Sequence, residues 1–131
     1  MSYFDTSFLI DYLQEAQYAL EHLDRNPTMA RTAGVPAPAL YELYVGVARQ
    51  RGIDAISDAI DALSWTTTVP LTEEATIEAA AIERELADNG QKIGSFDTLI
   101  AGVARSDDVA LVTADTGFEH VPDLVVHNPR Q

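Results

Sequence analysis

The chain has no cysteine, which removes disulfides, thiolate zinc sites and cysteine nucleophiles together. Positive charge is scarce as well. Eight Lys plus Arg stand against 21 Asp plus Glu, for a net charge of −13, and Lys92 is the only lysine. A nucleic-acid binder normally carries a basic face, because phosphate neutralisation supplies most of its affinity. Composition alone therefore argues against RNA or DNA as a partner. In molar salt that objection weakens, since the Debye length falls to about 3 Å and net charge hardly reaches an approaching polyanion. An acidic, lysine-poor surface suits a salt-adapted (halophilic) cytosol; the alternative is a mesophilic protein that is merely acidic. No apolar run approaches the roughly 20 residues of a membrane span. The opening Met1-Ser2-Tyr3-Phe4-Asp5 carries no basic segment, so a cytoplasmic protein with no membrane partner is expected. No phosphate-binding glycine loop and no Gly-x-Ser-x-Gly elbow occurs. His22, His120 and His127 show no zinc spacing and read as surface or satisfied histidines.

What is present is enough for a core. At 131 residues and 47% hydrophobic, the chain fits one domain spanning 1–131. Tyr3-Phe4 reads as a short buried strand, after which Thr6 or Ser7 caps a helix bearing Phe8, Leu9, Tyr12 and Leu13. A second helix carries Ala16, Ala19, Leu20 and Leu23 and stops at Asn26-Pro27. Residues 27–34 read as loop, and Val35 to Pro38 as a short strand. A helix from about Ala39 to Arg49 ends at Gly52. The next places Ile53, Ile56, Ile60 and Leu63 on one stripe, either core or a partner surface. Trp65 to Val69 is β-prone. Thr72 caps a helix that buries Ala75, Ala79, Ile82 and Leu86 and ends at Asn89-Gly90. A helix over Phe96 to Arg105, a strand over Ala110–Thr113 and a last strand near Leu124–Val126 complete the chain. Strands separated by helices predict an α/β fold with a central, mostly parallel sheet of about four to five strands.

Four carboxylates sit in contexts that a solvated surface does not require. Asp5 follows the first strand. Glu42 lies within Ala39-Leu40-Tyr41-Glu42-Leu43-Tyr44-Val45-Gly46. Asp97 stands at a helix start in Gly94-Ser95-Phe96-Asp97-Thr98-Leu99-Ile100, and Asp115 follows the strand Ala110-Leu111-Val112-Thr113. Each taken alone is a helix cap or a solvated charge more often than a ligand. Together they suggest one site, because in a parallel α/β sheet the strand ends share an edge. Such a set suits Mg²⁺ or Mn²⁺ and metal-assisted phosphodiester hydrolysis. Ser7 and Thr113 are candidate hydroxyls for orienting a carboxylate or a metal-bound water. Gly46 and Gly94 suggest close backbone approach. Asp11 reads mainly as helix surface. Tyr41, Tyr44 and Trp65 are either base-stacking or packing residues.

These four segments resemble the PIN-domain ribonucleases, and within them the VapC toxins of toxin–antitoxin pairs. The resemblance runs from Asp5 through Phe118. It rests on Asp5-Thr6-Ser7-Phe8-Leu9-Ile10-Asp11, Glu42-Leu43-Tyr44-Val45-Gly46, Ile93-Gly94-Ser95-Phe96-Asp97-Thr98-Leu99-Ile100-Ala101 and Leu111-Val112-Thr113-Ala114-Asp115. It implies a three-layer PIN-like domain and a Mg²⁺- or Mn²⁺-dependent endoribonuclease with Asp5, Glu42, Asp97 and Asp115 as the catalytic, metal-holding quartet. It also implies an RNA substrate, a homodimer and a small VapB-like antitoxin whose tail enters the active-site groove. Some relatives carry another acidic residue just after the last Asp. Here Thr116 and Gly117 occupy that stretch, which implies a weakly held second metal. Glu119 reads as surface. Arg31, Arg49, Arg51, Lys92 and Arg105 are the residues available to grip RNA. A PIN nuclease of RNA processing without an antitoxin, and an inactive PIN-fold binding module, are the rival readings.

Overall fold

In the computed structural model, which describes residues 1–130, the three-residue strand β1 (Ser2–Phe4) is buried throughout and lies at the centre of the sheet. Its neighbours are β2 (Ala33–Pro36) on one side and β4 (Ala110–Val112) on the other. β3 (Thr67–Val69) and β5 (Val126–His127) form the edges, giving the order β3-β2-β1-β4-β5. Every pairing is parallel. Seven helices flank this sheet: α1 (Thr6–Leu13), α2 (Gln17–Arg25), α3 (Pro27–Arg31), α4 (Ala37–Arg51), α5 (Ala55–Ala62), α6 (Glu73–Asp88) and α7 (Ser95–Asp107). The α/β class and the parallel sheet are as the sequence predicts. No helix among the described residues is long and apolar enough to cross a membrane.

One continuous core runs through these elements. Phe4, Phe8, Leu9, Ile82, Leu86, Ile100, Leu111 and Phe118 are fully buried, each side chain contributing about 1.5–3 kcal/mol of transfer free energy. The predicted stripe of α6 is buried at all four positions, Ala75, Ala79, Ile82 and Leu86. Thr72 caps that helix by accepting from the Ala75 N–H at 3.1 Å. α6 packs closely on α7: a Cβ added at Gly102 would lie 2.7 Å from both Ala75 O and Ala79 Cβ. Arg105 ties the pair to the chain beyond β4. Its guanidinium donates to Glu78 at 2.5 Å, to Glu85 at 2.8 Å and to the Pro122 carbonyl at 3.0 Å.

The structure corrects several local expectations. The residue that caps α1 is Asp5, whose carboxylate accepts from the Phe8 N–H; carboxylates cap at least as well as threonine hydroxyls. Residues 27–34 are not loop: Pro27 at the first helical position starts α3, and β2 begins at Ala33. Pro36 ends that strand, and Pro38 sits in the first turn of α4 instead of the sheet. Ile53 and Ile60 are 75% and 51% exposed, so the isoleucine stripe is not one core face; Ala59 and Leu63 are the buried positions there. Gly46 has nothing within 4 Å of where its Cβ would stand, and at Gly94 the nearest atom is 3.8 Å away. Neither glycine marks a close backbone approach. His22 is not satisfied: its Nε2 is buried without a hydrogen-bond partner, and burial lowers its proton affinity.

Candidate active site

With the order β3-β2-β1-β4-β5, the sheet reverses its winding between β1 and β4, and in open parallel sheets the crevice at such a switch point is where ligands bind. Phe4 and Val112 are paired in register across that boundary. Asp5 follows Phe4 directly, and Asp115 lies three residues beyond Val112. The Asp5 N–H still donates to the Val112 carbonyl at 3.3 Å, which fixes the first carboxylate at the strand ends.

Asp5 is 3% exposed and its oxygens are held by three donors. Oδ1 accepts from the Phe8 N–H at 3.0 Å, and Oδ2 accepts from Ser7 Oγ at 2.8 Å and Thr113 Oγ1 at 2.6 Å. Burial raises its carboxyl above the usual range. The hydrogen bonds from Thr113, Phe8 and Ser7 pull it back, and the charge of Asp115 adds to the rise. Thr113 serves twice, because its Oγ1 also accepts from the Asp115 N–H at 3.0 Å. Asp115 then starts the short helical turn Thr116–His120, accepting from the Gly117 N–H at 2.9 Å. Phe118, fully buried, anchors that turn.

Glu42 on α4 accepts from Thr6 Oγ1 at 2.8 Å. Thr6 thereby couples α1 to α4, a role that its sequence neighbourhood does not reveal; the only local sign is that Asp5 is itself a competent cap, which frees the next hydroxyl. Asp97 lies in the first turn of α7, where Gly94 occupies the cap position, so Asp97 is not the cap. Its carboxyl is raised from 3.8 to about 6, first by burial and then by the charges of Glu42, Asp115 and Asp5. All four acidic residues therefore share one electrostatic environment, with Asp97 feeling the other three. Asp11 does not join them. It accepts from the Tyr18 hydroxyl and pairs with Arg130 at 3.2 Å.

Among the described residues, no group of three or more His, Asp or Glu side chains is gathered tightly enough to hold an ion as it stands. The donor set nevertheless fits a hard divalent cation: four carboxylates, no sulfur and no imidazole. The charges of Glu42, Asp115 and Asp5 add to burial in raising Asp97, and a cation bound among them would offset that part.

Of the aromatic residues singled out in the sequence, Trp65 packs against Phe4 and Tyr12, with ring centroids 5.9 and 5.2 Å away. Tyr44 is half-buried. Tyr41 is exposed and pairs with Phe96, a residue that no sequence pattern singles out. Of the candidate RNA-gripping cations, Arg105 is consumed by Glu78 and Glu85, and Lys92 lies 3.5 Å from Glu83.

The PIN domain profile matches residues 2–124. The chain belongs to the PIN domain family. Among solved structures, this PIN domain is similar to VapBC2 from Rickettsia felis bound to a promoter DNA fragment, at 24% identity and TM-score 0.85 with 98% of each chain covered. It is similar to FitAcB from Neisseria gonorrhoeae at 23% identity and TM-score 0.83, covering 100% of this chain and 99% of that one. The Mycobacterium tuberculosis toxin VapC20, which cleaves the sarcin-ricin loop, aligns at 15% identity and TM-score 0.71, over 93% of this chain and 95% of that one. At these identities the likeness is one of fold. No curated protein sequence matches the chain.

Proposed function

We propose that this PIN domain is a divalent-metal-dependent endoribonuclease and the toxin of a VapBC-type toxin–antitoxin pair, working in the cytoplasm. What supports the reading is that the charges of Glu42, Asp115 and Asp5 all act on Asp97, whose carboxyl is raised to about 6 first by burial and then by those neighbours, while Asp5 and Asp115 follow the paired strands β1 and β4. Similarity to VapBC complexes and to a toxin that cleaves the sarcin-ricin loop supports the choice of substrate and partner.

Asp5, Asp97 and Asp115, with Glu42 completing the set, would hold Mg²⁺ or Mn²⁺, which supplies Lewis-acid charge to offset the negative charge developing on the phosphate. The rest is the work of the chain. Ser7, Thr113 and the Phe8 N–H fix the orientation of Asp5. Thr6 engages Oε1 of Glu42, leaving Oε2 to accept a proton from a water attacking phosphorus as the P–O bond to the leaving oxygen breaks. An apolar groove of about 300 Å³ between α1, α4 and α5, lined in part by Ile10, Leu13, Leu43 and Val47, supports an antitoxin partner. Gly46 opens one wall of it. A glycine inside a helix costs about 0.5–1 kcal/mol relative to alanine, and an incoming chain gives that opening a use. Exposed Ile53 and Ile60 support a homodimer.

A second reading, a PIN-fold binding module without catalysis, is favoured by the absence among the described residues of a carboxylate group already closed around one point. Cleavage of a fluorescent RNA panel in molar salt, with Mg²⁺, Mn²⁺ or EDTA, separates the two. Metal-dependent cutting that disappears in Asp97→Asn is the expected result. A folded wild-type protein that cuts nothing under any metal would favour the binding module. Growth arrest on expression, relieved by a neighbouring short reading frame, tests the toxin assignment separately.

A further inference from the structure

Two exposed aromatic rings, Tyr41 and Phe96, pack against each other across α4 and α7. Tyr41 is 57% exposed and Phe96 40% exposed. They come from different helices, α4 and α7, and each directly precedes a cluster carboxylate: Tyr41 before Glu42, Phe96 before Asp97. Their ring centroids are 5.3 Å apart and their planes are tilted by 34°. The pair is thus held in place by its own contact, where α4 packs on α7. Large apolar rings left in water beside a polar site are not explained by core packing. On the nuclease reading the occupant is RNA, and the charge of the chain limits how it can be held. The net charge is −13, Arg105 is taken up by Glu78 and Glu85, and Lys92 lies 3.5 Å from Glu83, which leaves Arg31, Arg49 and Arg51 as the exposed cations of that set for phosphates. A polynucleotide held here needs an uncharged contact, and aromatic faces provide one that works for any base and survives high salt.

We propose that Tyr41 and Phe96 form a stacking platform for an unpaired base of the RNA, placing the flanking phosphodiester over the carboxylates. The platform rests on the nuclease reading and adds to it the chemistry by which a strongly acidic protein holds its substrate.

The test uses the full chain in molar potassium chloride. Binding is measured in the Asp97→Asn background with single-stranded RNA carrying 2-aminopurine, whose fluorescence is quenched on stacking. Cleavage kinetics are measured on the wild-type background. Tyr41→Ala and Phe96→Ala should each weaken binding by roughly 5- to 100-fold, the range given by base–aromatic stacking, and should abolish the quench. Tyr41→Phe should retain both. In cleavage, KM should rise while kcat stays within about threefold, and an abasic nucleotide at the contacted position should erase the difference between wild type and Tyr41→Ala. Both side chains are exposed, so circular dichroism melts should match wild type. If the wild-type protein cleaves RNA while both alanine variants keep affinity and KM, the platform is wrong and the nuclease reading stands. A loss of affinity for a co-encoded antitoxin, with RNA binding intact, would make the pair a protein contact and also overturn the platform. If wild type neither binds nor cuts any RNA, both readings fall.

Discussion

Replacing Asp97 with asparagine should make the metal-free protein more stable, although it removes a side chain placed in the candidate active site. The Asp97 carboxyl is raised from 3.8 to about 6, and each tenfold gain in proton affinity corresponds to about 1.4 kcal/mol. The whole rise would amount to roughly 3 kcal/mol, which partial solvent screening at a half-buried site reduces to about 1–2 kcal/mol. The folded-state value lies above the unfolded one, so the favourable contribution is fully present below about pH 4. It is lost as pH rises through about 6. Asparagine keeps the volume and behaves as the neutral form at every pH. In EDTA the variant should therefore melt about 3–10 °C higher than wild type at pH 7.5, and the gap should close as pH falls toward 4. Saturating Mn²⁺ should reverse the order, because only the wild type gains the linked binding energy. Thermal melts followed by circular dichroism across pH 4–8 test this directly. An Asp97→Asn protein that melts at or below wild type in EDTA at pH 7.5 would refute the reasoning, since the cluster would then carry no uncompensated charge.

The same proton affinity predicts weaker metal binding in acid: with the Asp97 carboxyl at about 6, the apparent Mn²⁺ affinity, followed by calorimetry, should fall by about fourfold between pH 7.5 and 5.5, and a flat profile would contradict it. Gly102→Val should destabilise the fold by about 1–3 kcal/mol or more, because its Cβ would meet Ala75 O and Ala79 Cβ at 2.7 Å and α6 would have to shift from α7; a chemical denaturation midpoint unchanged from wild type would show that the helices have slack. Thr113→Val removes a donor to Asp5 and an acceptor for the Asp115 N–H, for an expected loss of about 1–3 kcal/mol; the pH dependence of Mn²⁺ binding should move to higher pH with it. Arg105→Met should leave Glu78 and Glu85 as an unpaired like-charged pair and lower stability by about 1–3 kcal/mol, an effect that molar salt should reduce.

What is legible in the sequence is whatever local chemistry decides. The cap at Thr72 and the buried face Ala75, Ala79, Ile82 and Leu86 follow from spacing within one helix, and the structure has them all. The termination of α4 at Gly52, with φ of 90°, follows from the same kind of local argument. The sheet order β3-β2-β1-β4-β5 is not legible, because nothing in a three-residue strand specifies which other strand it pairs with. The Thr6–Glu42 hydrogen bond, between residues 36 apart, is equally hidden. The start of α1 is ambiguous in sequence because Asp5, Thr6 and Ser7 can all cap a helix; the cap falls on the residue that the strand end has already fixed. Ile53 and Ile60 mislead for a related reason. Periodicity shows that an apolar stripe exists, but not whether the chain itself covers it.

Sequence alone makes the four acidic residues look equivalent, and the fold separates them. Asp5 ends β1, caps α1 and accepts three hydrogen bonds. An asparagine in its place would turn one acceptor oxygen into a donor nitrogen, facing either the hydroxyls of Ser7 and Thr113 or the Phe8 N–H. That substitution removes catalytic charge and strand-to-helix geometry together, so lost activity in Asp5→Asn cannot be attributed to chemistry alone. Asp115 is half-way to the same condition through Gly117. Asp97 caps nothing, yet its carboxyl feels Glu42, Asp115 and Asp5. Withdrawing its charge costs no cap and should stabilise the metal-free fold. A stabilised, inactive Asp97→Asn variant would assign the carboxylate cluster to function, because a residue kept for the fold alone would not destabilise it.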